Sequence, residues 1–362
     1  MALEDLRKRL NELDRQLIEL IAERQAVVEE VGALKRDEGQ GTRDYQREKQ
    51  VLDGARASAE ELGIAPDIAE GVMRLLIQTS LTRQEHARVR AEGRGEGQKA
   101  LVIGGGGKMG RWFADFLDSQ GFDITVADPY NSAADFCSIA DWQSADEEFA
   151  LTVVAAPLQT TAAILATMAE QGHAGLIFDI GSLKTPLIPA LEKLAATGAQ
   201  VTSVHPMFGP DAELLSDKHV LFLDAGCQEA TRAARKLFAS TMAQQTEMGL
   251  AEHDRLIAYV LGLSHALNIA FFAVLAESGE SVPRLADLSS TTFDAQLAVA
   301  SKVARENPQL YFEIQSLNQH GLEPLEALAT AVAMISDAVK AGDEDAFVSL
   351  MQRGRQYLDS RS

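Results

Sequence analysis

The chain has almost no cysteine: two in 362 residues, Cys137 and Cys227. They stand far apart and match no metal-ligand spacing. That argues against a disulfide framework or a cysteine metal site and favours a reduced, cytoplasmic setting. Positive charge is also scarce. Against 53 Asp and Glu stand 33 Lys and Arg, a formal net charge of −20. A nucleic-acid partner is therefore not expected, because binding a phosphate backbone needs a basic surface. No uninterrupted apolar run approaches the roughly 18 residues of a membrane span. The first twenty residues are studded with charge, so no signal peptide or membrane association is expected.

What is present is uneven. Residues 1–90 carry 15 Lys and Arg against 18 Asp and Glu, whereas the remainder carries 18 against 35. The first ninety residues are thus relatively rich in cations, which suits a small anionic ligand. The apolar fraction of 46% is ordinary for globular cores, and the length favours two or three domains.

Leu3, Leu6, Leu10, Leu13, Leu17 and Leu20 recur at spacings of three and four, and Val27, Val31 and Leu34 continue the stripe. This predicts one long helix whose coiled-coil-like seam meets a second chain as well as its own. Arg24 falls where the rhythm demands an apolar side chain. Lys35, about three turns on, points the same way. A cation on a buried stripe is costly without a partner, although Arg24 alone reads as readily as a snorkelling arginine at the seam's edge. Gly39 and Gly41 end the helix, and Thr42 is placed to cap the next. Asp44, Arg47 and Glu48 then share one face, which a surface ion-pair ladder would also explain. A third helix, over roughly 66–87, carries Gln84 near its end. Residues 91–98, with three glycines, read as a flexible linker.

From residue 99 the pattern changes to alternating strands and helices. Strands are predicted at 100–103, 122–127, 151–155, 176–180, 200–204 and 220–224, giving a doubly wound α/β sheet of the Rossmann type. The first strand runs into Gly104-Gly105-Gly106-Gly107-Lys108-Met109-Gly110, a strand–glycine turn–helix order that fits a dinucleotide fingerprint on Gly105, Gly107 and Gly110. Gly105 is expected to make the tight turn and Gly107 to admit the pyrophosphate. Gly110 lets the helix close on the sheet, and Gly106 and Met109 complete the turn. Asp128 ends the second strand, where a carboxylate accepts from ribose hydroxyls and repels a 2′-phosphate, favouring NAD. His205 follows the strand at 200–204, at the carboxyl edge where ligands sit. From about 249 the sequence is helical: 250–276, 283–306, 311–341 and 344–357.

In order and spacing, Arg7, Arg24, Lys35, Asp44, Arg47, Glu48 and Gln84 resemble the active-site set of the all-helical chorismate mutases. So do Ala-Glu-Arg at 22–24, Val-Gly-x-x-Lys at 31–35 and Arg-Asp-x-x-Arg-Glu at 43–48. The resemblance implies an intertwined homodimer in which Arg7 reaches the partner's site. It also implies carboxylate binding by Arg7, Arg24 and Arg47. Lys35 and Gln84 would donate to the ether oxygen of chorismate, and Asp44 and Glu48 would fix the ring hydroxyl. No nucleophile is needed for this rearrangement, only a held conformer and stabilised charge.

His205-Pro206-Met207-Phe208-Gly209-Pro210 is similar to the signature of prephenate dehydrogenases, and Asp179 to Lys184 resembles that family's Asp-x-x-Ser-x-Lys segment. The likeness implies that His205 accepts the substrate hydroxyl proton, that Ser182 assists it and that Lys184 positions substrate or cofactor. No metal is implied. His265 matches a substrate-pocket histidine. Two positions depart from the family: Lys302 stands where an arginine grips the ring carboxylate, and Asp294 replaces a second arginine. Lysine keeps charge but loses the bidentate fork, which leaves room for some activity on arogenate.

The whole chain thus resembles the bifunctional chorismate mutase–prephenate dehydrogenases. The expected layout is an all-α mutase unit (1–90), a linker (91–98), a Rossmann-like domain (99–247) and an all-α substrate and dimerisation domain (248–362). The substrates would be chorismate and prephenate and the cofactor NAD. The length leaves no separate regulatory domain, so feedback by tyrosine would act near the dehydrogenase site. Two other readings are weighed: an N-terminal unit that only dimerises, attached to an arogenate or mixed cyclohexadienyl dehydrogenase, and a β-hydroxyacid dehydrogenase. The second leaves the His-Pro-Met motif unexplained.

Overall fold

A computed structural model describes residues 2–130 and 133–360. Three helices come first: α1 (Leu3–Asp37), α2 (Tyr45–Glu61) and α3 (Pro66–Glu92). The long helix expected from the leucine stripe is present. The cap of α2 is Asp44 rather than Thr42. The Asp44 carboxylate accepts from the Arg47 amide at 2.9 Å, as an N-cap aspartate does for the third amide of a helix. Pro66 opens α3 from its first turn, and nothing breaks the helix before Gly93.

Of the glycines that follow, Gly93 and Gly95 serve close packing, whereas Gly97 takes a left-handed φ of +75°. A Cβ on Gly93 would stand 2.6 Å from the Gln120 backbone, and one on Gly95 would stand 2.3 Å from the Phe122 amide nitrogen. The Gly95 amide donates to the Gln120 carbonyl at 2.9 Å, and Gly97 to Gly121 at 2.8 Å. The segment expected as a flexible joint is therefore a strap fixed along residues 120–123.

The remaining elements are β1 (Lys99–Ile103), α4 (Lys108–Asp118), β2 (Asp123–Ala127), β3 (Cys137–Ile139), β4 (Leu151–Val154), α5 (Leu158–Gln171), β5 (Leu176–Asp179), α6 (Ile188–Ala196), β6 (Gln200–Pro206), β7 (His219–Asp224), α7 (Gln228–Leu237) and β8 (Gln244–Gly249). Then come α8 (Leu250–Ile257), α9 (Ser264–Glu277), α10 (Val282–Asp287), α11 (Thr291–Arg305), α12 (Pro308–Ser316), α13 (Leu322–Ala341) and α14 (Glu344–Asp359). The chain divides into two compact units. The first holds Met1–Ala156, Gln171–Ile180 and Ala195–Glu247; the second holds Pro157–Glu170, Gly181–Leu194 and Met248–Ser362.

The first unit carries the sheet, in the order β3-β2-β1-β4-β5-β6-β7-β8. Strands β1 to β6 pair in parallel, while β7 runs antiparallel to β6 with His205 opposite Leu221. The reversal of order between β1 and β4 is the topological switch point at which such sheets bind ligands. Every residue of β4 is buried, as a strand covered on both faces requires. Phe113, Phe178, Phe222 and Phe238 are wholly buried in the core beside it. Two short strands, β3 and β8, are absent from the pattern reading, because one spans three residues and the other reads Gln-Gln-Thr-Glu-Met-Gly.

The second unit is helical. The single helix expected at 250–276 is interrupted by a π-helical turn, Ala258–Leu263, where the Gln315 amide group donates to the Gly262 carbonyl at 2.7 Å. Such turns free a carbonyl and often mark functional sites. The helices expected at 283–306 and 311–341 each divide in two. Ser290 caps α11, and Gly321 stands at the start of α13. Leu250–Glu277 is long and apolar enough, by length and composition, to cross a membrane, with 28% of its most apolar window buried. Scattered Ser264, His265 and Asn268 keep this from reading as an uninterrupted apolar run.

Candidate active sites

Arg24 and Gln84 both lie in the interface of α1 with α3. The Arg24 guanidinium donates to Ser80 Oγ at 2.9 Å and to the Leu76 carbonyl at 3.3 Å. Gln25 packs beside it, donating to Thr79 at 3.0 Å and accepting from Ser80 at 3.3 Å. Burial pulls the Arg24 pKa down, and among the described residues no carboxylate pairs with it. A desolvated cation with neutral partners is poised for an anion. Gln84 is 8% exposed, and its amide nitrogen donates to the Val28 carbonyl at 3.0 Å. Its side chain lies against Gly32, where a Cβ would approach to 3.0 Å.

The other residues of the predicted set are turned to local partners. The Lys35 ammonium donates to the Thr42 carbonyl at 3.2 Å. Asp44 is engaged as the cap of α2, which its placement beside a ring hydroxyl did not anticipate. Arg47 is exposed and reaches Gln50. Glu48 accepts two bonds from Arg43. Arg7 is exposed beside Glu4 at 3.9 Å, about 25 Å along α1 from Arg24 at the helical rise. Ser80, Gln25 and Arg43 carry no role legible in the sequence, because each has partners far away in the chain.

In the glycine turn the left-handed residue is Gly104, at φ +80°, not Gly105. A Cβ on Gly104 would stand 2.7 Å from the Ala155 carbonyl oxygen. Gly105 instead fits between Val126 and the Val102 carbonyl, and Gly110 lies so close to the Gly104 carbonyl that a Cβ would stand 2.2 Å away. Gly107 is the N-cap of α4, with no side chain capping the helix. Met109 packs on the core. Asp128 accepts from the Gly106 amide at 3.2 Å and from the Tyr130 amide at 2.9 Å. An acceptor at the strand end and uncapped amides at the helix start fit a dinucleotide's ribose and pyrophosphate. His205 is 3% exposed near the end of β6.

In the second unit Ser182 is half-buried and Lys184 wholly buried. The segment is pinned by Asp254, whose carboxylate accepts from the Lys184 amide at 2.9 and 3.1 Å and from the Thr185 amide at 2.6 Å. It also accepts from the Thr185 hydroxyl at 2.5 Å and His253 Nδ1 at 2.6 Å. Burial pushes the Asp254 carboxyl up, but the bonds from His253, Thr185 and Lys184 outweigh it and hold the pKa below its ordinary 3.8. A depressed carboxylate contributes stability that is complete above the unfolded pKa and lost as pH falls through the folded one. Asp254→Ala is therefore expected to cost about 3 kcal/mol at pH 7, with the difference from the parent shrinking below about pH 4. Denaturant melts across pH check this.

His265 stacks on Tyr311 with ring centroids 4.1 Å apart, and burial lowers its pKa. Its buried Nδ1 has no hydrogen-bond partner among the described residues. Lys302 is exposed on α11. Asp294 is exposed and accepts from the Ser289 hydroxyl.

Residues 6–85 match the family model of chorismate mutase type II. Residues 121–242 match the prephenate dehydrogenase nucleotide-binding domain, and 250–353 the prephenate dehydrogenase dimerization domain. The T-protein of Enterobacter agglomerans is 26% identical over 98% of this chain and 92% of its own. That of Haemophilus influenzae is 26% identical over 100% and 93%. A prephenate dehydrogenase from A. aeolicus, solved with hydroxyphenyl propionate and NAD+, shares the fold at a TM-score of 0.57. It is 17% identical, covering 73% of this chain and 98% of that one. With a mutase unit, a nucleotide-binding unit and a dimerization unit in this order, and T-proteins alike along nearly their whole length, the chain belongs to the bifunctional chorismate mutase–prephenate dehydrogenases.

Proposed function

We propose that the chain rearranges chorismate to prephenate between α1 and α3 and then oxidises prephenate to 4-hydroxyphenylpyruvate with NAD, two consecutive steps of tyrosine biosynthesis. The observation that carries the first half is Arg24, a desolvated cation held by neutral partners. Arg24 and Arg47 hold the substrate carboxylates, joined by Arg7 of a second copy. Lys35 and Gln84 donate to the ether oxygen as its bond to carbon breaks, exchanging the Thr42 and Val28 carbonyls for the substrate. Glu48 and Asp44 face the ring hydroxyl, Asp44 while capping α2. The exposed seam of α1, with Leu3 at 64% and Leu10 at 58% exposure, supports an intertwined homodimer, since an apolar stripe of this length is stable only when covered. The exposed apolar faces of α9, α13 and α14 support a second pairing through the C-terminal helices. The assembly works in the cytoplasm.

In the dehydrogenase half, Gly105, Gly106, Gly107, Met109 and Gly110 hold the dinucleotide phosphates, and Asp128 takes the ribose hydroxyls. The bound nicotinamide supplies a hydride acceptor. His205 takes the hydroxyl proton of prephenate, a task suited to imidazole. Loss of the ring carboxylate as carbon dioxide then aromatises the ring. Ser182 and Lys184 handle substrate or cofactor, and His265 and Lys302 the substrate.

Cofactor choice gives a test. The Asp128 carboxylate repels a 2′-phosphate, so Asp128→Asn raises the ratio of kcat/KM with NADP to that with NAD by about tenfold or more. Steady-state oxidation of prephenate with each cofactor measures it. An unchanged ratio contradicts the assignment of Asp128.

A further inference from the structure

Arg43 stands between α1 and α2, one residue before the cap of α2. Its Nε donates to Glu48 Oε1 at 2.9 Å and a terminal nitrogen donates to Glu48 Oε2 at 3.2 Å. This two-toothed grip fixes a carboxylate in orientation as well as position. The other terminal nitrogen donates to Ser216 Oγ at 2.5 Å and to Asp217 Oδ2 at 2.7 Å. The guanidinium also lies over the Tyr45 ring, 4.3 Å from its centroid. All three nitrogens are engaged, and the side chain is only 21% exposed.

Asp217 is held in an unusual backbone state, at φ +62°. A left-handed aspartate costs about 1 kcal/mol or more, so its surroundings impose the conformation that presents its carboxylate to Arg43. Asp217 lies in the connection from the His205-to-Pro210 segment to β7, the strand that pairs with β6 opposite His205. Arg43 therefore ties a residue read as mutase machinery to a segment of the dehydrogenase half.

We propose that Arg43 is a positioning residue for chorismate rearrangement, and that Ser216 and Asp217 set its angle, so that the mutase step depends on the dehydrogenase domain. This rests on the reading of Glu48 as a group facing chorismate. Freed from Ser216 and Asp217, the Arg43 side chain regains its rotamers, and Glu48 loses a fixed orientation while keeping its charge. The loss then appears in kcat more than in KM.

The test uses the full chain with Asp217→Asn, since asparagine tolerates the left-handed region, and Asp217→Gly as a second variant free of backbone strain. Both are expected to lower mutase kcat about fivefold with KM little changed, while prephenate oxidation stays within about twofold and reports folding. Arg43→Ala lowers mutase kcat about 100-fold, and Arg43→Lys does not restore it, lacking the fork. The double variant of Arg43→Ala and Asp217→Asn is no worse than Arg43→Ala alone, because both act through one contact. Mutase kcat at the parent value in both Asp217 variants, or fully additive losses in the double variant, overturns the proposal. A parent chain that leaves chorismate unconverted overturns the reading of Glu48 itself, and this proposal with it.

Discussion

Replacing His205 by asparagine lowers kcat for prephenate oxidation about 10³-fold and leaves chorismate rearrangement unchanged. The size follows from the role. A positioned general base contributes about 10² to 10⁴ in rate, and an amide cannot take a proton. Asparagine keeps some hydrogen bonding and roughly the polarity of the site, so KM for prephenate should move far less than kcat. Selectivity for one reaction follows from the chain's organisation, because His205 sits on β6 and the mutase cations sit on α1 and α2. Initial rates of NADH formation from prephenate and of chorismate loss, measured on the same preparation, give both halves at once. A fall in both rates would mean that the substitution disturbs the sheet and says nothing of proton transfer, so a thermal melt accompanies the rates. An unchanged dehydrogenase rate with an intact fold removes His205 from the mechanism.

The second large effect is at Arg24. Arg24→Ala is expected to lower mutase kcat/KM by about 10² to 10³, with prephenate oxidation near the parent rate. The alanine removes the cation seated between Ser80 and the Leu76 carbonyl, and the neutral groups left behind bring no charge to a carboxylate there. Arg24→Lys separates charge from shape. It restores a positive charge without the planar fork, so partial recovery is expected. If Arg24 were a snorkelling side chain at a dimer seam, leucine in its place would strengthen the seam and leave catalysis untouched. Chorismate consumption by Arg24→Leu distinguishes the two: activity within about twofold of the parent supports a purely structural helix unit.

Much of the fold is legible in the sequence for a physical reason. A strand buried on both faces must be apolar along its length, so β1, β4 and β5 stand out from their surroundings. The apolar stripe of α1 repeats at helical spacing along its length, so the long helix is legible. The His205 to Pro210 motif and the acid at Asp128 sit at predicted strand ends. What escaped reading depends on partners far away in the chain. Gly93 and Gly95 look like a flexible joint, because a glycine needed for close backbone approach and one needed for freedom are the same residue. Asp44 drew a substrate role where it also caps a helix. Arg43 stands out in the sequence only as part of a motif, since its partner Asp217 lies 174 residues on. The Asp254 network is silent for the same reason, since its donors Lys184 and Thr185 lie 70 and 69 residues earlier. Gly104 takes the left-handed turn assigned to Gly105, because four successive glycines offer no local cue to which one turns.

The most direct measurement supplies the full chain with chorismate and NAD and no prephenate, and follows NADH together with 4-hydroxyphenylpyruvate. Both products should appear in step, one of each for every chorismate consumed. NADH from added prephenate, with none from chorismate, would leave a single dehydrogenase carrying an inert helical arm.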